Sequence, residues 1–149
     1  MAYGTNALKG RYQVKNPEKY KGDVNTVFYR SSWELKFFNY CDVNANIVYW
    51  SSEEIVLKYI SPIDGKYHRY FLDGHVEARM PDGSLQKYMV EIKPKKFTME
   101  PVPQKTKTKA YINECIQWAV NQAKWAVAAE VCADNGWKFL ILTENELKV

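Results

Sequence analysis

Residues 73–93 read Asp-Gly-His-Val-Glu-Ala-Arg-Met-Pro-Asp-Gly-Ser-Leu-Gln-Lys-Tyr-Met-Val-Glu-Ile-Lys. Two runs with strand-forming residues flank Pro81-Asp82-Gly83, which predicts a β-hairpin. Pro, Asp and Gly in that order fit a three-residue loop, a type I turn closed by a left-handed glycine. Met80 then faces Ser84, paired positions sum to 164, and Asp73 stands opposite Glu91. A two-residue Asp82-Gly83 loop would slip the register by one and send the two acids to opposite faces of the sheet. Side chains alternate across a strand, so Glu91 and Lys93 share one face while Val90 and Ile92 take the other.

An isolated Glu-x-Lys on a strand reads as a solvated pair. Two carboxylates facing each other across strands are a different matter, because like charges directly opposite are destabilising. A hard divalent cation, Mg²⁺ or Mn²⁺, relieves that repulsion through oxygen ligands. Such an ion also activates water and neutralises phosphoryl oxygens. Lys93, on the same face, is placed to hold a water or a phosphate oxygen. Asp73, Glu91 and Lys93 together therefore have the residue types of a phosphodiester-cleaving site.

Outward from the hairpin, the chain reads as one α/β unit. Ser31 and Glu34 have the spacing of a capping box that opens a helix carrying Trp33, Phe37, Phe38, Tyr40 and Cys41. Strands are expected over Ile47–Trp50, Ile55–Ile60, Tyr67–Arg79 and Leu85–Lys93, joined as an antiparallel meander. The proline- and lysine-rich stretch 94–109 reads as an exposed loop. Apolar residues at Ile112, Ile116, Ala119, Ala123, Val127 and Val131 predict a helix over Lys109–Asn135 with one buried face, capped by Gly136. Trp137–Leu142 reads as a buried strand. The expected fold is a mixed sheet flanked by helices. Residues 1–25, poor in large aliphatics, are expected to be a basic N-terminal arm, with residues 26–149 as the single domain.

The chain has 149 residues and a formal net charge of +4. The sum hides an alternation: residues 31–92 carry −3, and residues 93–109 carry +5. Neither a signal-peptide core nor an apolar run long enough to span a bilayer is present, so no membrane partner is expected. Cys41, Cys115 and Cys132 form no C-x-x-C pair, which argues against a zinc site and fits a reducing cytosol. His68 and His75 read as satisfied strand or rim residues rather than ligands, and Trp118 and Trp125 as packing residues.

Asp73, seventeen intervening residues, then Glu91-Ile92-Lys93 resembles the core of the PD-(D/E)xK nucleases, with Leu72 at the loose proline position. Three further segments extend the likeness in order: Tyr29-Arg30-Ser31-Ser32-Trp33-Glu34, Arg69-Tyr70-Phe71-Leu72-Asp73, and Phe139-Leu140-Ile141-Leu142-Thr143-Glu144. With these, residues 15–147 resemble the head completion nucleases of T-even-type tailed phages and, more widely, the endonuclease subunit of heteromeric transposases.

The resemblance implies a restriction-endonuclease-like α/β core and a Mg²⁺- or Mn²⁺-dependent DNA endonuclease acting in virion assembly after packaging. It implies Asp73, Glu91 and the Ile92 carbonyl as metal ligands, Lys93 as the active-site lysine, and Glu34 as the upstream acid. Glu34 can equally be a cap, and a helix N-terminus near phosphate suits both roles. Phage head or neck proteins are the implied partners, in the host cytoplasm during assembly and then in the virion head or neck. Two alternatives stay open: a joining protein that binds DNA or capsid without cutting, and a transposase-type or junction-resolving nuclease. Lys95, Lys96, Lys105, Lys107 and Lys109 leave directly from the site and are expected to contact DNA phosphates, with Arg30 beside Glu34 as a further contact; a merely solvated loop is the plainer reading.

Overall fold

The structure, a computed structural model, describes residues 9–148. Four strands form the central sheet: β3 (Ile47–Ser51), β6 (Gly74–Arg79), β7 (Leu85–Ile92) and β8 (Lys138–Leu142), in the order β3-β6-β7-β8. β3, β6 and β7 are antiparallel neighbours, and β8 runs parallel to β7, so the sheet is mixed. Two short strands, β1 (Gly10–Arg11) and β2 (Phe28–Tyr29), pair separately ahead of α1 (Ser32–Val43). A long helix α2 (Lys109–Asn135) covers the opposite face, and a single turn α3 (Glu144–Leu147) ends the described chain.

The hairpin has the register its loop demands. Gly74 pairs with Val90 and Arg79 with Leu85, the Met80 N–H bonds the Ser84 carbonyl at 2.8 Å, and Gly83 sits at φ +87°. Alternation then divides the sheet. Val76, Val90 and Ile92 pack under Phe37, Phe38 and Cys41 of α1 with Trp50, while Met89 faces Trp125, Ala128 and Cys132 of α2. Each fully buried side chain of this size contributes roughly 1.5–3 kcal/mol.

The meander holds from β6 to β7 and fails before it. β3 pairs with β6, and the chain between them leaves the sheet as a two-stranded ribbon, β4 (Val56–Ile60) with β5 (Tyr67–Phe71). The expected strand Tyr67–Arg79 is therefore broken at Leu72-Asp73, where the Leu72 N–H bonds the Ile55 carbonyl and the chain turns into the central sheet. Gly74 follows at once because a Cβ there would meet the Phe37 ring at 2.6 Å. α2 has the expected ends, with Thr108 capping its start and Gly136 its finish. Its most buried line runs through Asn121, Trp125, Ala128 and Cys132, and Ala123, Val127 and Val131 of the aliphatic line pack beside it against the same core.

The N-terminal segment needs a correction. Residues 1–8 of the expected arm lie outside the described residues, but Tyr12, Val14 and Tyr20 are buried in the α1-side core. The anchor is Asp42, fully buried at the end of α1. Its carboxylate accepts from the Tyr12 hydroxyl at 2.8 Å, the Lys15 N–H at 2.7 Å and the Asn16 N–H at 3.0 Å. Burial alone would push the Asp42 carboxyl up; these donors outweigh it and hold the carboxyl below its ordinary value. That stability is present above the unfolded pKa, about 3.9, and is lost as pH falls through the lower folded value. Asp42→Ala strands the donors, and thermal or urea denaturation is expected to register a loss of about 3 kcal/mol.

No helix among the described residues is long and apolar enough to cross a membrane, and the three cysteines are free thiols.

Candidate active site

The register brings Asp73 and Glu91 together at the head of β6 and the end of β7, on the face covered by α2. Both are buried, as are Glu34 and Lys93, the last 9% exposed. Asp73 Oδ2 accepts the Ile92 N–H at 2.7 Å, so the backbone of β7 fixes the carboxylate's orientation. Ile92 thus meets Asp73 through its N–H. Glu91 is held at both oxygens: Tyr70 donates its hydroxyl to Oε2 at 2.8 Å, and Lys93 Nζ lies 3.6 Å from Oε1.

Electrostatics show what this placement costs. Asp73 is pushed well above the ordinary carboxyl range, first by burial, then by the Glu91 charge, with Glu34 adding to it; the Ile92 N–H pulls the other way. Burial and the neighbouring Glu91 push the Tyr70 hydroxyl up, so it remains a donor. Ser31 caps α1 by accepting the Glu34 N–H at 3.1 Å, and the Glu34 carboxylate accepts the Arg30 N–H at 3.4 Å. Glu34 therefore stands at a capped helix start and is also near enough to load Asp73. Among the described residues, no three His, Cys, Asp or Glu side chains are gathered as a preformed metal site.

Asp73, Glu91 and Lys93 open onto a cleft of about 410 Å³. Arg30, Arg69 and Lys124 supply further positive charge to its walls, with Glu53, Tyr70 and Phe71 completing them. Arg30 is ion-paired with Glu53 at the rim, where Glu53 takes the left-handed conformation at φ +55°. The five loop lysines are elsewhere: all are exposed, and none lines the cleft. Lys96 Nζ lies 3.9 Å from Glu114, the Lys95 N–H bonds Glu144 at 2.8 Å, and Lys109 begins α2. The histidines also lie outside the cleft, His68 paired with exposed Asp64 at 2.7 Å and His75 buried in β6.

Two contributors escaped the sequence reading. Tyr70 lies within a quoted motif but carried no assigned role. Lys124 projects from α2, its Nζ 5.4 Å from the Tyr70 ring centroid and 5.6 Å from that of Tyr59. Burial lowers its pKa and Lys93 lowers it further, against the pull of Glu91 and Asp73. Its signal was present: a lone cation in an otherwise uncharged run, next to the buried Trp125 and three residues after Asn121.

The sequence profile described as TnsA-like endonuclease N terminal matches residues 44–144. The chain is also 41% identical over 146 residues, covering 95% of each chain, to the head completion nuclease of Enterobacteria phage T4. No solved structure matches. The central sheet, the paired acids and every cleft residue but Arg30 fall within residues 44–144, and the fold is accordingly restriction-endonuclease-like: the chain belongs to the TnsA-like endonuclease family, alongside the phage head completion nuclease.

Proposed function

We propose that the protein is a metal-dependent endonuclease that hydrolyses DNA phosphodiester bonds during phage head completion. One observation carries this reading: Asp73 and Glu91 are buried together on adjoining strands against their own repulsion, each oriented by a dedicated donor, beside Lys93. A fold with no use for that charge would lower its energy by neutralising either acid. The description of the matching family and the name of the similar phage protein add support.

The donor set suits a hard divalent cation, which prefers carboxylate oxygens. Asp73 and Glu91 would hold it, with the Ile92 carbonyl and Glu34 as further candidate contributors. When bound, Mg²⁺ or Mn²⁺ supplies charge neutralisation at the phosphoryl oxygens and a lowered pKa for water. The chain's own residues do the rest. The Ile92 N–H and Tyr70 hydroxyl orient the two carboxylates, Lys93 stabilises charge beside Glu91, and Lys124, Arg69 and Arg30 draw the phosphate backbone into the cleft. Lys95, Lys96, Lys105, Lys107 and Lys109 would meet DNA away from the scissile phosphate, adding affinity that falls with salt.

The test is conversion of supercoiled plasmid to nicked or linear forms with MgCl₂ or MnCl₂. Cleavage is expected with either cation and none in EDTA. Folded wild-type protein that leaves plasmid intact with both cations would refute the reading, and equal cleavage in EDTA would remove the metal from it.

A further inference from the structure

The β4–β5 ribbon stands outside the central sheet, and its two faces differ. Its inner face presents Leu57, Tyr59 and Tyr70 to α2. The outer face is built from three cross-strand pairs: Val56 with Phe71, Lys58 with Arg69, and Ile60 with Tyr67. All six are exposed, Tyr67 most of all at 72%. Strand geometry sets these three rungs over roughly 13 Å. No acid belongs to the set, and the two cations form the middle rung. Arg69 lies over the Phe71 ring, 5.4 Å from its centroid, and both residues also line the cleft of Asp73 and Glu91. The outer face and the active-site wall are one continuous surface.

That combination selects its occupant. A duplex presents phosphates to its surroundings and base edges in its grooves, and edge reading needs side chains that donate or accept in pairs. Four of the six side chains here are apolar and offer little of that. Unpaired bases present π-faces, which stack on aromatic side chains regardless of sequence, while neighbouring cations track the backbone. A protein partner would find the apolar residues equally useful, but the central cations and the junction with the cleft favour a polyanion entering the site. We propose that the outer face of the β4–β5 ribbon is a single-strand platform: unpaired DNA flanking the scissile phosphate stacks on Phe71 and Tyr67, with Arg69 and Lys58 on its phosphates. The substrate is then DNA with a single-stranded segment next to the cut, such as an overhang, flap or unpaired end. The inference rests on the reading that DNA occupies the cleft.

The experiment measures binding by fluorescence anisotropy in EDTA, where the metal-dependent reaction is silent. The probes are a labelled oligothymidylate and a blunt duplex of equal length. Wild type is expected to prefer the single strand. Tyr67→Ala, a change at an exposed position outside the cleft, is expected to weaken oligothymidylate binding about tenfold, with Tyr67→Trp restoring it, and to leave duplex binding within about twofold. Lys58→Ala is expected to flatten the salt dependence of single-strand binding by about 0.7 in log–log slope. Unchanged oligothymidylate binding by Tyr67→Ala would overturn the platform and leave the face to a protein partner. Equal weakening on both probes would overturn it in favour of a duplex surface. Plasmid cleavage by wild type, run in parallel with Mg²⁺, separates the two readings: intact plasmid refutes the nuclease, whereas the anisotropy series judges the platform alone.

Discussion

Asp73→Asn is expected to abolish cleavage, by at least about a thousandfold, while making the protein harder to unfold. The two effects have one cause. In the proposed site, replacing the carboxylate with an amide removes a ligand of the cation, and with it several kcal/mol of transition-state charge stabilisation; about 4 kcal/mol is a factor of a thousand in rate. The amide oxygen can still accept the Ile92 N–H now bonded to Asp73 Oδ2, so local geometry persists. What disappears is a buried charge loaded by Glu91 and Glu34. Relief of that repulsion should stabilise the metal-free fold by about 1 kcal/mol, a rise of roughly 2–4 °C in Tm at this chain length. Thermal melts in EDTA measure the rise. Melts with added Mg²⁺ supply the counterpart: the cation should raise the wild-type Tm and leave the variant unmoved. A variant less stable than wild type in EDTA would mean that Asp73 serves chiefly to hold β6 against β7, and retained cleavage would remove it from the reaction.

How much of this was legible in the sequence depended on the range of the interactions involved. The placement of Asp73 beside Glu91 was legible because a hairpin's register is a local property: Pro81-Asp82-Gly83 fits a three-residue loop, and alternation carries the result to the strand ends. The route from β3 to β6 was not. Val56–Ile60 and Tyr67–Phe71 have the same composition as the sheet strands, and nothing local distinguishes a ribbon packed on α2 from two further members of a meander. The N-terminal segment failed for a related reason. Tyr12 and Val14 alternate with the polar Arg11, Gln13 and Lys15, a pattern too short to mark a packed element, and what fastens the segment is distant in the chain: Asp42 holds Tyr12 and the Ser52 backbone holds Tyr20, each about thirty residues away. On α2 the aliphatic Ala123, Val127 and Val131 do pack against the α2-side core, yet its most buried contacts are Trp125, Ala128 and Cys132, with the polar Asn121 in the same line. Lys124 adjoins that line, which puts its ammonium at the cleft instead of in solvent. Its isolation in an uncharged run was readable, but where its ammonium points was not, because both the rotation of the helix and its contact with the ribbon are tertiary.

Lys93→Met and Lys124→Met should then separate in a way that sequence position does not suggest. Methionine preserves the apolar stem of each side chain and removes the charge, so packing over Tyr70 is kept in the Lys124 variant. Lys93 is 3.6 Å from Glu91, among the residues that surround the reacting phosphate in the proposed site. Its charge counts most as the phosphoryl oxygens gain negative charge, and losing one preorganised stabiliser of that kind costs about 10²–10³ in kcat. Lys124 reaches the cleft from α2, over the rings of Tyr70 and Tyr59, and in the proposed site it would attract the backbone equally in ground and transition states. Uniform binding of that sort appears in KM. The expected result for Lys124→Met is a KM raised about tenfold with kcat nearly unchanged, and for Lys93→Met the reverse. Steady-state cleavage of a short labelled substrate at fixed salt resolves the two. Parallel losses in kcat for both variants would place Lys124 at the reacting phosphate as a second catalytic cation, and an unaltered KM and kcat in Lys124→Met would reduce it to a packing residue that holds α2 against the ribbon.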